Sequence, residues 1–158
     1  MTLHKRTQLP LSVDITDKRD VRTQFAALCY RIVSDKTQIL LISSRRTGRW
    51  IIPKGWPIDG CTPSSCALTE AWEEAGVVGK VTGGCLALYT YLKDVDDAGP
   101  LPCAVMVYPV KVRALADKFP ESGQRKRKWM SPKRAAERVN EPELSHLLRR
   151  FNPRHLPR

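Results

Sequence analysis

Between Trp50 and Val77 the chain reads WIIPKGWPIDGCTPSSCALTEAWEEAGV, and this segment admits few conformations. Thr62 followed by Pro63 sets a helix start, because threonine caps the first free N–H groups and proline suits the first helical position. Gly76 suits the left-handed residue that ends a helix. The helix so bracketed runs over about 63–75 and carries Glu70, Glu73 and Glu74. Residues three and four apart share a helix face, so the three carboxylates point the same way. Like charges that close repel, and no Lys or Arg lies between Thr62 and Val78 to relieve them. A solvated acidic face is the plain reading of a bare Glu-x-x-Glu-Glu. The bracketing turns favour another: a hard divalent cation, Mg²⁺ or Mn²⁺, bound by carboxylate oxygens. The backbone carbonyl of Gly55, in the turn before the helix, is a fourth candidate ligand.

This strand, loop, helix and glycine stop resemble the Nudix box, Gly-x5-Glu-x7-Arg-Glu-U-x-Glu-Glu-x-Gly-U, where U is a bulky apolar residue. Counted from Gly55, the chain supplies Glu70, Glu73, Glu74, Gly76 and Val77 in register, with the small Ala71 at the first U. Cys61 stands where the box has its first Glu, and Thr69 where it has Arg. In the family those two residues orient the metal-binding carboxylates, a supporting role that tunes the site. Asp59, two residues before Cys61, is the candidate substitute for the missing Glu. Phe25–Arg31, Ile39–Arg45 and Arg49–Pro53 look like the opening strands of the diphosphoinositol polyphosphate phosphohydrolases. Arg125–Met130 and the segment through Val139 look like their closing strand and helix. The similarity covers roughly residues 22–150. It lapses over Lys93–Pro102, where an acidic Pro/Gly-containing segment replaces the family's basic one.

At 158 residues the chain suits one domain with a two- or three-layer core. Strands are expected at about 24–34, 38–44 and 49–52, then in Cys85–Tyr91, Cys103–Val112 and Arg125–Met130, with Asp94–Gly99 as a loop. Ser131-Pro132 and Pro142 each signal a helix start. Many strands with few helices give an α+β or layered architecture, and the resemblance implies the α/β/α sandwich with a mixed β-sheet. Residues 1–21 form a polar arm, 22–151 the domain, and 152–158 a basic tail whose two prolines predict fraying. No apolar run approaches the roughly 18 residues of a membrane helix, and no apolar core follows Lys5 and Arg6 as in a secretory signal. Five cysteines without a Cys-x-x-Cys pair predict packed, reduced thiols and the cytoplasm. Cys61 and Cys66 lack the partners of a zinc site. The three histidines, His4, His146 and His155, lie in the arm or in the C-terminal helical segments, where a surface position is expected.

The formal net charge is +11, and residues 125–158 hold eleven Lys/Arg against three Glu. Such a field attracts polyanions: nucleic acid, an acidic membrane, or a highly phosphorylated small molecule. In the resembled family, basic residues at matching positions hold inositol phosphates. The resemblance therefore assigns substrate binding to Arg22, Ser43, Ser44, Arg45, Arg49, Lys54, Arg125 and Arg127. Arginine suits this task through its planar, bidentate fork. The expected activity is metal-dependent hydrolysis of a phosphoanhydride. Glu70 and Glu74, with the Gly55 carbonyl, hold the metal, and Glu73 completes a second metal position or acts as base. Diphosphoinositol polyphosphates and diadenosine polyphosphates are the expected substrates. Loss of the box Glu and Arg leaves one alternative, a Nudix-fold module that binds RNA through Arg125–Lys128 without hydrolysis.

Overall fold

The computed structural model describes residues 21–95 and 99–157, so the expected arm lies outside the described residues but for Val21. Eight strands form one mixed sheet. β1 (Arg22–Val33) and β2 (Lys36–Ser43) make an antiparallel hairpin. Its turn is Ser34-Asp35, with φ of 50° and 62°. Positive φ at both turn residues is what a two-residue hairpin of this hand requires. β1 also runs parallel to β7 (Gly99–Leu115) from Arg22↔Cys103 to Tyr30↔Lys111, which makes it the central strand. β6 (Ala87–Val95) and β5 (Val77–Val81) flank β7 antiparallel. β3 (Trp50–Ile51) and β8 (Arg127–Met130) pair with β2, and β4 (Lys54–Gly55) pairs with β1.

Side chains alternate across a strand, and β1 is covered on both faces. Phe25, Ala27 and Cys29 pack against α1 (Pro63–Ala75), which presents Cys66, Ala67, Ala71 and Ala75. Ala26, Leu28 and Tyr30 pack on the other side, where α2 (Pro132–Arg138) and α3 (Pro142–Arg150) bury Ala135, Ala136, Leu144 and Leu148. This is the expected α/β/α sandwich.

Three local expectations change. The ends of the expected Asp94–Gly99 loop are strand, since β6 continues to Val95 and β7 begins at Gly99 with Lys93↔Leu101 and Asp94↔Pro100 paired, while residues 96–98 lie outside the described residues. Cys85, expected inside a strand, is exposed just before β6, whereas Cys29, Cys66 and Cys103 are buried; all five thiols are free. The tail makes a 3₁₀ turn at Pro153–His155 and packs Leu156 against the core. Asn152 caps it by accepting the Arg154 N–H at 3.0 Å. No described helix is long and apolar enough to cross a membrane.

Candidate functional site

The acidic helix is capped as its sequence demands. Thr62 Oγ1 accepts the Ser65 N–H at 3.3 Å, and Gly76 takes φ 66° and returns its N–H to Ala71 and Trp72 carbonyls. The small residues of α1 lie on the sheet, which turns Glu74 inward to 6% exposure and leaves Glu70 and Glu73 half-buried. β4 passes along this face. Glu74 Oε2 accepts the Lys54 N–H at 3.1 Å. A Cβ placed on Gly55 would collide with the Glu70 carboxylate, so glycine is what lets the carboxylate lie on the backbone.

The counter-charge arrives from a distant segment. Arg125, just before β8, is buried to 7% side-chain exposure. Its Nη2 reaches Glu74 Oε1 at 3.4 Å and Glu121 Oε1 at 3.1 Å, its Nε reaches Glu121 at 3.3 Å, and its Nη1 donates to the Ser43 carbonyl at 3.3 Å. Glu121 also pairs with Arg45 at 3.3 Å and donates its backbone N–H to the Glu73 carbonyl at 3.0 Å.

Burial dominates the ionisation of this group. It pushes Glu74 up to about 7, Glu70 adding to the effect while Arg125, Lys54 and the Lys54 N–H oppose it. Burial, then Glu73 and Glu121, raise Glu70 against the pull of Arg125. Burial lowers Lys54, with Glu74 and Glu141 opposing. Carboxylates that resist ionisation in place gain from a nearby cation. The donors present, hard carboxylate oxygens beside a glycine-only backbone approach, fit Mg²⁺ or Mn²⁺. As the side chains stand, no three Asp, Glu, His or Cys among the described residues converge as a metal-holding group. Glu74 is instead engaged by Arg125 and the Lys54 N–H.

An open cleft of about 1020 Å³ lies over the carboxylates. Ser44, Arg45, Arg49, Lys54, Gly55, Glu70, Glu73, Glu74 and Arg125 all line it, so most of the expected site residues come together. Three do not. Arg22 is exposed at the start of β1, opposite Cys103. Ser43 is buried, its Oγ accepting the Lys126 N–H at 2.8 Å. Arg127 faces the sandwich, donating to the Ala75 and Ala116 carbonyls at 3.0 and 2.9 Å with its guanidinium 5.0 Å over the Phe119 ring. It serves the C-terminal end of α1, whose last carbonyls have no partner within the helix. Asp59 is exposed and does not line the cleft.

Further residues line the cleft, and of these Gln24, Tyr91, Lys93 and Glu121 had no sequence signal. Arg46, which the basic run beside the box already marks with Arg45 and Arg49, joins them in the loop between β2 and β3, and Trp56 lines the cleft beside Gly55, as its place in the sequence implies. Arg49 also pairs with buried Glu141 at 3.4 Å. Opposite, Lys93 Nζ sits 4.8 Å over the Trp56 ring, and Tyr91 Oη donates to Gln24 Oε1 at 2.6 Å. Glu121 and Gln24 escape a local reading because only the fold brings them to the cleft.

Comparison with known proteins bears on the family and the fold. A family model described as NUDIX domain matches residues 22–151. Human diphosphoinositol polyphosphate phosphohydrolase 3-alpha is 31% identical over 115 residues, which are 72% of this chain and 66% of that protein. The mouse diphosphoinositol polyphosphate phosphohydrolase 2 is 35% identical over 65 residues, 41% of this chain and 36% of that protein. The chain thus spans less than two thirds of the length of these relatives. Among solved structures, a C. elegans Ap4A hydrolase binary complex superposes with a TM-score of 0.63 at 22% identity, covering 81% of this chain and 93% of that one. The E. coli dihydroneopterin triphosphate pyrophosphohydrolase gives a TM-score of 0.63 at 15% identity, covering 82% and 93%. At these identities the likeness is one of fold.

Proposed function

The chain belongs to the Nudix family, and on that premise we propose that it hydrolyses phosphoanhydride bonds in a highly phosphorylated small molecule, in a metal-dependent reaction. The substrate class is that of the diphosphoinositol polyphosphates or diadenosine polyphosphates, in keeping with the names of its relatives. One observation carries this reading: Glu70, Glu73 and Glu74 floor a cleft whose wall is the Arg45–Arg49 loop. A surface that only binds polyanions gains nothing from buried carboxylates facing its ligand.

Gly55, Glu70, Glu73 and Glu74 would hold the cation, Mg²⁺ or Mn²⁺. When bound, it supplies a lowered pKa for water and offsets the charge of the phosphoryl group. Glu73 takes the proton of the attacking water or completes a second cation position. Arg45, Arg49, Lys54 and Ser44 bind the phosphates that do not react and align the anhydride over the carboxylates. The unpaired thiols suit a reducing compartment, and the cytoplasm is the proposed location.

The test is phosphate release from a panel of diphosphoinositol polyphosphate, diadenosine penta- and hexaphosphate, nucleoside diphosphate derivatives and capped RNA. Each is assayed with Mg²⁺, with Mn²⁺ and with chelator, in the wild type and in Glu74→Gln. Metal-dependent turnover that falls at least about 100-fold in the variant is expected. Tight polyanion binding without turnover on any member would overturn the hydrolase and leave a binding module.

A further inference from the structure

Helix α1 carries no Lys or Arg, yet Glu74 on it is buried and Glu70 half-buried. A carboxylate removed from water needs a counter-charge or a proton. Arg125 supplies the charge. Its guanidinium lies between Glu74 at 3.4 Å and Glu121 at 3.1 Å and is nearly closed off from solvent. A divalent ion ligated by Glu74 would lie within several Å of that guanidinium, and two cations so close in a partly buried site repel strongly. The guanidinium on Glu74 therefore opposes an ion there and lowers its affinity. Arg125 Nη2 donates to Glu74 Oε1, an oxygen that an ion at Glu74 would also use.

We propose that Arg125 is the resident counter-cation of the metal-free carboxylate group, and that it sets the affinity of that group for divalent metal. An ion held at Glu74 would have to share the carboxylate with the guanidinium or take its place on Oε1. Arg125 is not stranded by the exchange, because Glu121 and the Ser43 carbonyl still accept from it. The assignment rests on Glu70, Glu73 and Glu74 being the metal-binding group. It makes Arg125 a regulator of occupancy and gives a reason for its burial, which a residue reserved for substrate phosphates does not need.

The experiment is a Mn²⁺ titration without substrate, at pH 8, followed by the electron paramagnetic resonance of the free ion. It compares the wild type with Arg125→Met, Arg125→Lys and, as a marker of the site, Glu70→Gln. Arg125→Met keeps length and loses charge, and it should bind Mn²⁺ at least about tenfold more tightly than the wild type. Arg125→Lys keeps the charge and should stay within about threefold. Arg125→Gln replaces the methionine variant if that fails to fold. Equal or weaker binding in the neutral variant overturns the proposal and makes Arg125 a bystander or a support for the ligands. Mn²⁺ binding that is the same in the wild type and Glu70→Gln, or absent from all four proteins, overturns the metal-binding assignment itself and the proposal with it.

Discussion

Replacing Glu74 by glutamine should remove a pH dependence from the stability of the protein in chelator while lowering turnover at least about 100-fold. Glu74 is buried, and its carboxyl is pushed from the ordinary 4.5 up to about 7. The folded state therefore binds a proton that the unfolded chain has lost throughout pH 4.5–7. Stability falls as pH rises wherever the folded state holds more protons. The contribution of Glu74 is thus fully present below 4.5 and is lost by about 7. The interval is about 2.5 pH units, and at about 1.4 kcal/mol per pH unit it amounts to about 3.5 kcal/mol, of which about 3 kcal/mol lies above pH 5. Glutamine has nearly the same shape, can still accept the Lys54 N–H, and does not titrate. Urea unfolding in chelator at pH 5, 6, 7 and 8 gives the assay. The stability of wild type minus that of Glu74→Gln should decline by about 3 kcal/mol across the series. In a chain of this size that corresponds to roughly 9 °C in midpoint, at about 3 °C per kcal/mol. Parallel pH profiles would refute the reasoning, because they would show that burial does not hinder ionisation of Glu74.

Three more perturbations separate roles within the site. Gly55→Ala drives a Cβ into the Glu70 carboxylate; a loss of about 1–3 kcal/mol and weakened Mn²⁺ binding are expected by urea midpoint and titration, and wild-type values for both would discount the close approach. Arg127→Met removes two bonds from a charged donor to the Ala75 and Ala116 carbonyls, so stability should fall by about 2 kcal/mol with KM unchanged. A raised KM at unchanged stability would return Arg127 to the phosphate-holding role that the resemblance implied. Arg45→Gln concerns an exposed pair with Glu121, worth less than about 1 kcal/mol; KM should rise about tenfold at wild-type stability, and an unaffected KM would remove Arg45 from the substrate wall.

Much of the fold is legible where the signals are local. The bounds of α1 follow from Thr62-Pro63 and Gly76, whose backbone preferences act without help from the rest of the chain. The register of Glu70, Glu73 and Glu74 follows from helical spacing, and the buried strands from their apolar runs. Elements that exist only by pairing are not legible. β4 is two residues held by β1, and β5 contains Gly79 beside a register shift, so neither shows a periodicity. The arginines divide on the same physical line. Arg125 and Arg127 lie two apart in a basic run, and charge count alone assigns them one role. Their side chains instead take separate carbonyl and carboxylate partners supplied by α1 and the β7–β8 connection. No sequence pattern brings Glu121 to Glu73, because that bond depends on how the connection returns over the end of the helix.

The pairing of β4 with β1 divides the cleft into two mechanical regimes. Gly55 and Lys54 are bonded to Phe25 and Ala26 in the central strand, and the Ala27 N–H donates to the Pro53 carbonyl at 2.9 Å. The backbone beneath the carboxylates can open only when the sheet opens, so in hydrogen exchange its amides belong with the most protected of the molecule. Arg45, Arg46 and Thr47 hang from an exposed turn closed by Ser44 and Arg49, whose opening breaks only a few bonds. Changes in that turn can retune which anion is held without disturbing the floor on which it reacts.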